Sequence, residues 1–342
     1  MKQGILKKQQ AAAASVAVPQ PVSKPAHTKE SGKYKNGNKE SLKIRFIKAV
    51  KKHKYIYLMM LPVVLYYLLF HFGPMYGMII AFKDYSVGKG IMGSPWVGAE
   101  NFKMFFQSYY FWRLLKNTLA INVLNILIGF PFPVIFALLL NELRNDRFKK
   151  SIQTFTYLPH FISVTVLCGM ILDFFSTKGV INDMLSVLGI ERIPFFTLPE
   201  WFRPIYIGTD IWSGFGWGSI IYLAALAGVD VSLYEAATID GAGRFKKMIH
   251  VTIPGIMPTV VIMFILKFGH MMSLGAQKIL LLYNPKIYET ADVISTFVYR
   301  QGLAGAQYSY TTAVDMFSAV INVILLVSIN QISRRVSETS LW

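Results

Sequence analysis

Residues 232–254 read SLYEAATIDGAGRFKKMIHVTIP, a polar and basic island set between two apolar stretches. Ser232 and Glu235 stand at capping-box spacing, which predicts a helix beginning here with its first amide groups satisfied by side chains. Gly241 and Gly243 predict a sharp turn, because glycine accepts backbone angles that other residues resist. A second short helix from about Arg244 sets Phe245, Met248 and Ile249 along one side, with Arg244, Lys246 and Lys247 nearby. Thr252 and Pro254 suit the first turn of a further helix, where proline gives up no needed hydrogen bond. The segment reads as a helix-turn-helix on the cytoplasmic face of a membrane, open to a partner.

Composition supports the membrane. Of 342 residues, 54% are hydrophobic and only 15% charged, which is too little charge to cover a soluble domain. The single cysteine, Cys168, lies in an apolar run, so neither disulfides nor a cysteine metal site can be argued. The net charge of +17 would suggest nucleic acid if it were spread over a folded surface. It is concentrated instead: 14 of the 35 Lys and Arg residues precede Tyr55, against Glu30 and Glu40 alone. Residues 1–54 therefore read as a disordered basic tail beside anionic membrane lipid, with no signal-peptide order and no nucleic-acid partner.

A spanning helix needs about 20 apolar residues. Stretches of this kind occupy 55–72, with Pro62 inside, and the intervals between Lys116 and Glu142 and between Lys150 and Asp173. Three more cover 205–226, a segment starting near Pro254 that carries Lys267 and His270, and 311–332 with Asp315 near its outer end. Six crossings put both termini on one side, and the basic tail, the 141–150 loop and Arg334 and Arg335 identify that side as the cytoplasm. The expected fold is thus an all-α, multi-pass integral membrane protein with a permease domain over 55–342.

Glu235-Ala236-Ala237, then Gly241, then Val251-Thr252-Ile253-Pro254 resembles the EAA loop of the membrane subunits of binding-protein-dependent ABC importers. Val251 and Ile253 stand where the family usually has Ile and Leu. Gly216-Trp217-Gly218-Ser219, His71-Phe72-Gly73-Pro74 and Tyr288-Glu289-Thr290-Ala291 extend the similarity to the carbohydrate branch, the alginate- and maltose-type permeases. The resemblance implies a type I importer permease of the bacterial cytoplasmic membrane with a cytoplasmic coupling helix in the loop 232–254. It further implies a second permease subunit, two ABC ATPase subunits and an extracytoplasmic sugar-binding protein as partners. ATP and Mg would sit on the ATPases, with no cofactor and no metal on this chain. Glu235, Ala236, Ala237, Asp240, Gly241, Ala242, Ile253 and Pro254 would form the ATPase-coupling surface.

No stretch matches a phosphate-binding loop, a His-Glu-x-x-His metal site or a nucleophile elbow, so no catalysis is expected of this chain. Trp212, Trp217, Tyr222, Lys267 and His270 are candidates for the substrate path, since aromatic faces suit the C–H face of a sugar and intramembrane charges usually face a watery cavity. His160 in the third crossing has no assigned role. Two rivals remain at this stage. One is an ion-gradient transporter or channel relaying charge through Lys267, Asp173 and Asp315, and the other a membrane scaffold recruiting partners through its basic tail.

Overall fold

The computed structural model describes residues 52–337 and 340–341; all but the last few residues of the expected basic tail lie outside them. Two compact units divide between Tyr66 and Tyr67. In the first, the described residues are one helix turn after another, the beginning of α1 (Lys54–Tyr67). Pro62 is accommodated inside this helix. A π turn (Leu68–Phe72) and tighter turns carry the helical path on to Phe82.

The second unit holds α2 (Glu100–Gln107), α3 (Phe111–Leu124), α4 (Pro131–Asn141), α5 (Asp146–Tyr157) and α6 (Val164–Phe174). After them come α7 (Pro199–Ala227), α8 (Val231–Ile239), α9 (Ile253–Gly269), α10 (Ala276–Leu282) and α11 (Tyr308–Ser337). Among the described residues the β content is a single bridge, Lys83 to Trp96. Among the described residues, four stretches are long and apolar enough to cross a membrane: 54–82, 111–141, 244–269 and 308–335. Two bent helix pairs bring the number to six if each counts as one crossing.

The third expected crossing is corrected by this geometry. Residues between Lys150 and Asp173 form no single rod, because α5 and α6 meet at 98°. Pro159 withholds an amide from the helical ladder. Ser163 then restarts the chain, its hydroxyl accepting from the Val166 amide at 3.4 Å. The 11 residues of α6 rise only about 16 Å, roughly half a bilayer interior.

Three apolar clusters hold the second unit. One joins Cys168 and Ile171 of α6 to Phe202, Ile205 and Tyr206 of α7 and Ile279 of α10. Another packs Phe105, Phe111 and Leu114 against Phe297 and Val314. The third seats Ala137 and Leu138 of α4 on Tyr222 and Leu226 of α7 and Ile256 of α9. Between α10 and α11 the chain is fastened by Asp292, fully buried, which binds Arg113 at 3.1 Å and Arg300 at 2.8 Å. Asn117 donates to the backbone carbonyls of Glu289 and Asp292, both at 2.9 Å, and accepts from Arg203 at 2.8 Å.

Candidate functional site

The elbow between α7 and α9 begins with a cap that the sequence reading misplaced. Ser232 and Glu235 do not form a capping box; the cap is Asp230, whose carboxylate accepts from the Ser232 amide at 2.9 Å. That hydrogen bond holds the Asp230 carboxyl below its ordinary range. A carboxylate is the stronger acceptor at a helix N-terminus, and capping from position 230 leaves Glu235 exposed, one full turn into α8.

The far end of α8 closes as expected at Gly241. The Gly241 amide donates to the Thr238 carbonyl at 3.0 Å, and the Ala242 amide reaches back to the Ala237 carbonyl at 2.9 Å. This paired closure demands a left-handed residue, and Gly241 sits at φ +74°. Asp240 is exposed just before it. Gly243 has φ −69°, so its conformational freedom is not used.

Beyond the turn the structure differs from two separate short helices. Arg244–Lys247 runs through a π turn, Met248–Thr252, directly into α9. The Ile253 amide bonds the Met248 carbonyl, and the wide turn makes room for the ring of Pro254. Elbow and α9 are tied across the corner: the Tyr234 and Thr252 hydroxyls lie 3.0 Å apart, and Lys247 donates to the Thr238 hydroxyl at 2.8 Å. A small apolar group anchors the corner, with Val229 touching the position of Gly255 and packing beside Met248 and Ile253.

What this corner leaves outward is apolar as well as charged. Ile239 is 87% exposed and Phe245 69%, with Val231, Leu233 and Ile249 also open beside Arg244 and Lys246. Ala236 is exposed, Ala237, Ala242 and Ile253 are half-buried, and Pro254 is exposed. The elbow is therefore a rigid two-helix corner bearing large exposed hydrophobic side chains.

Three of the five path candidates share one cavity. Tyr222, Lys267 and His270 line a space of about 350 Å³ between α4, α7 and α9, together with Asn125, Phe130 and Asp210. Trp212 and Trp217 do not join them. Steps of five residues turn a helix by about 140° each, so 212, 217 and 222 cannot share a face. Trp217 instead lies flat on His160, 4.7 Å between centroids and 3° between planes, which gives that histidine a packing partner. Trp212 is 45% exposed.

The charge relay of the rival reading is not assembled. Lys267 lines this cavity, Asp315 lines different ones, and among the described residues no ion pair links Lys267, Asp173 or Asp315. The carboxylate that does reach the cavity is Asp210, which the sequence reading passed over although a carboxylate inside an apolar span is a signal in itself. It accepts from Asn125 at 2.6 Å and from buried Lys278 at 3.5 Å. Lys278 also donates to the Tyr206 carbonyl at 3.1 Å and stands 4.4 Å above the ring of Tyr206.

Comparison with known proteins bears on this arrangement. The family described as "Binding-protein-dependent transport system inner membrane component" matches residues 129–338, which include the elbow and most of the cavity wall. Protein LplB of Bacillus subtilis (strain 168) is 43% identical over 300 residues, covering 87% of this chain and 94% of the relative. The polygalacturonan/rhamnogalacturonan transport system permease protein YteP of the same organism is 44% identical over 305 residues, covering 89% and 95%. Among solved structures, a bacterial alginate ABC transporter in complex with alginate pentasaccharide-bound periplasmic protein contains a similar chain. The match has a TM-score of 0.80 and 42% identity, covering 87% of this chain and all of the other.

Proposed function

The chain belongs to the inner membrane components of binding-protein-dependent transport systems, and from that premise we propose that it is the permease subunit of an ATP-driven ABC importer carrying an oligosaccharide or polysaccharide fragment into the cytoplasm. The sugar permeases among its relatives and the alginate transporter support that cargo class.

In this reading the bent pair of α5 and α6 supplies one crossing and α7 another, giving six with the four single stretches, and both termini and the elbow, α8 included, face the cytoplasm. The basic tail, residues 1–54, lies on that side against anionic lipid, and the permease domain is 55–342. Hydrolysis belongs to two separate ATPase subunits, which hold ATP and Mg, and this chain contributes no catalytic group. A second permease completes the pathway, and an external binding protein delivers the sugar.

The observation that carries the reading is the elbow: exposed Phe245, Ile239 and Leu233 on a corner locked by Gly241 and by the Tyr234–Thr252 contact. Seated in an ATPase groove, those side chains leave water, and Glu235 is free to meet a cation there. Because the corner runs unbroken into α9, a push on α8 moves the wall that carries Lys267 and His270. That wall and Tyr222 form the sugar path of this subunit, whereas Trp217 packs on His160.

Replacement of Gly241 by proline tests the lever, since proline supplies neither the positive φ nor the amide that closes α8. In the reconstituted complex, Gly241→Pro is expected to abolish sugar uptake and transport-stimulated ATPase activity, with Gly241→Ala intermediate. Unchanged uptake and stimulation in Gly241→Pro would refute the assignment.

A further inference from the structure

A cavity of about 680 Å³ lies apart from the path, between the segment after α1 and the start of α11. Its wall includes Asp84, Tyr85, Tyr110, Gln301, Gln307 and Tyr308. We propose that this cavity is a second carbohydrate site, on the extracytoplasmic face, that takes an uncharged pyranose of the incoming saccharide. The assignment of that face rests on the importer reading above.

Its position follows from the packing of α9 and α11. Gly269 abuts Leu326, and the Met272 amide donates to Asn322 at 2.7 Å, so the two helices run antiparallel. The first turn of α11 therefore extends about 20 Å beyond the end of α9 that lies away from the elbow. With the elbow in the cytoplasm, the cavity opens on the side from which sugar arrives.

The wall has the chemistry that a neutral sugar ring requires. Tyr85 and Tyr308 meet edge to face, 6.0 Å between centroids at 79°, and Tyr110 adds a third ring. Aromatic faces cover the C–H surface of a pyranose, while phenol hydroxyls and the Gln301 and Gln307 amides can donate to and accept from its hydroxyls. The volume lies within the range of about 300–1,000 Å³ usual for small-ligand sites. The two sides are fixed to one another, because the Tyr85 amide donates to the Ser309 hydroxyl at 2.8 Å.

Charge decides against an acidic sugar. Among the described residues Asp84 is the charged one of the wall, and no cation lines it. Lys83 is turned away, its ammonium held by the carbonyls of Ile91 at 2.6 Å and Ser94 at 3.3 Å. A uronate carboxylate would face Asp84 unopposed, whereas sugar hydroxyls can donate to it.

The backbone carries a separate mark of function. Ala306, in the same wall, has φ +52°, and among the described residues it is the one non-glycine with positive φ. The flanking bonds hold it there: the Gly305 amide to the Arg300 carbonyl at 3.0 Å, and the Gln307 amide to the Gln301 carbonyl at 2.9 Å. The second bond sets the two glutamines side by side. Strain of this kind persists where surrounding contacts over-determine it, and it collects at ligand clamps.

The test uses the full-length chain in lipid nanodiscs with its partner permease, without ATP or external binding protein, titrated calorimetrically with β-1,4-galactotriose and with trigalacturonate. Galactotriose is expected to bind, and Gln307→Ala to weaken it about five- to tenfold with an unchanged melting temperature. Trigalacturonate is expected to bind at least tenfold more weakly, with Asp84→Asn reducing that gap to less than threefold. Three results would overturn the proposal: no galactotriose binding, binding indifferent to Gln307→Ala, or a uronate gap indifferent to Asp84→Asn. It would also fall if, in a separate titration of the same nanodiscs with the external binding protein, Gln307→Ala weakened binding of that protein while leaving galactotriose binding unchanged, which would make the cavity a protein dock. ATP-driven uptake, measured separately across neutral and acidic oligosaccharides, distinguishes the two readings, because galactotriose binding with none of them taken up would remove the importer and the assigned face and leave the sugar site itself standing.

Discussion

Gly216 shows how much can depend on one missing methyl group. A Cβ at that position would collide with the carbonyl of Thr156, so α5 and α7 approach as closely as they do because nothing projects between them. The obstacle is backbone, which cannot swing aside. Gly216→Ala is therefore expected to destabilise the protein by about 1–3 kcal/mol, read as a lowered melting temperature in detergent. By contrast Gly214 has no neighbour in the way, and Gly214→Ala should be close to neutral. The sequence showed the glycines but not which of them touches a neighbour. Gly241 was legible because a turn between two helices needs a left-handed residue, and its amide pattern bears that out. The cap was not: Asp230, Ser232 and Glu235 all favour a helix start, and only the traced backbone shows which carboxylate or hydroxyl faces the free amides.

At the level of elements, the same device appears three times. π turns at Leu68–Phe72, Asn125–Gly129 and Met248–Thr252 each end two residues before a proline, namely Pro74, Pro131 and Pro254. In each, the residue before the proline donates to the first carbonyl of the wide turn: Gly73 to Leu68, Phe130 to Asn125, Ile253 to Met248. Proline clashes with the carbonyl four residues back in a regular helix, and one extra residue per turn moves that carbonyl aside. Helices thus run through prolines at which a sequence reading would start a new one. At Pro159 no such turn forms and the chain bends sharply soon after, whereas Pro62, Pro204 and Pro258 lie inside helices without one. The short elements between α10 and α11 depend instead on Asp292, which serves two arginines from full burial. Asp292→Ala leaves Arg113 and Arg300 without their counter-charge and is expected to cost about 3–5 kcal/mol. The expected readout is premature unfolding, with 288–304 losing hydrogen-exchange protection before α7 does.

For the molecule as a whole, the decisive test is which side each end of the helices occupies. Ser232→Cys on the elbow and Val87→Cys on the segment after α1 are both exposed positions, while Cys168 is buried and stays silent. A membrane-impermeant maleimide is expected to label residue 87 from outside intact cells and residue 232 only after the cytoplasmic face is opened; the reverse pattern would invert the topology. The sequence alone determined that this is a helical membrane protein, roughly where its crossings lie, and that one hydrophilic elbow separates two of them. Those features follow from local quantities: apolar run length against bilayer thickness, charge position, and the backbone needs of glycine and proline. Tertiary structure alone decided which polar residues meet. It brought Asp210 to Asn125 and Lys278, placed Tyr222 with Lys267 and His270, and laid Trp217 on His160. Such meetings depend on helix rotation and crossing, which long-range packing sets and which no local stretch of sequence encodes.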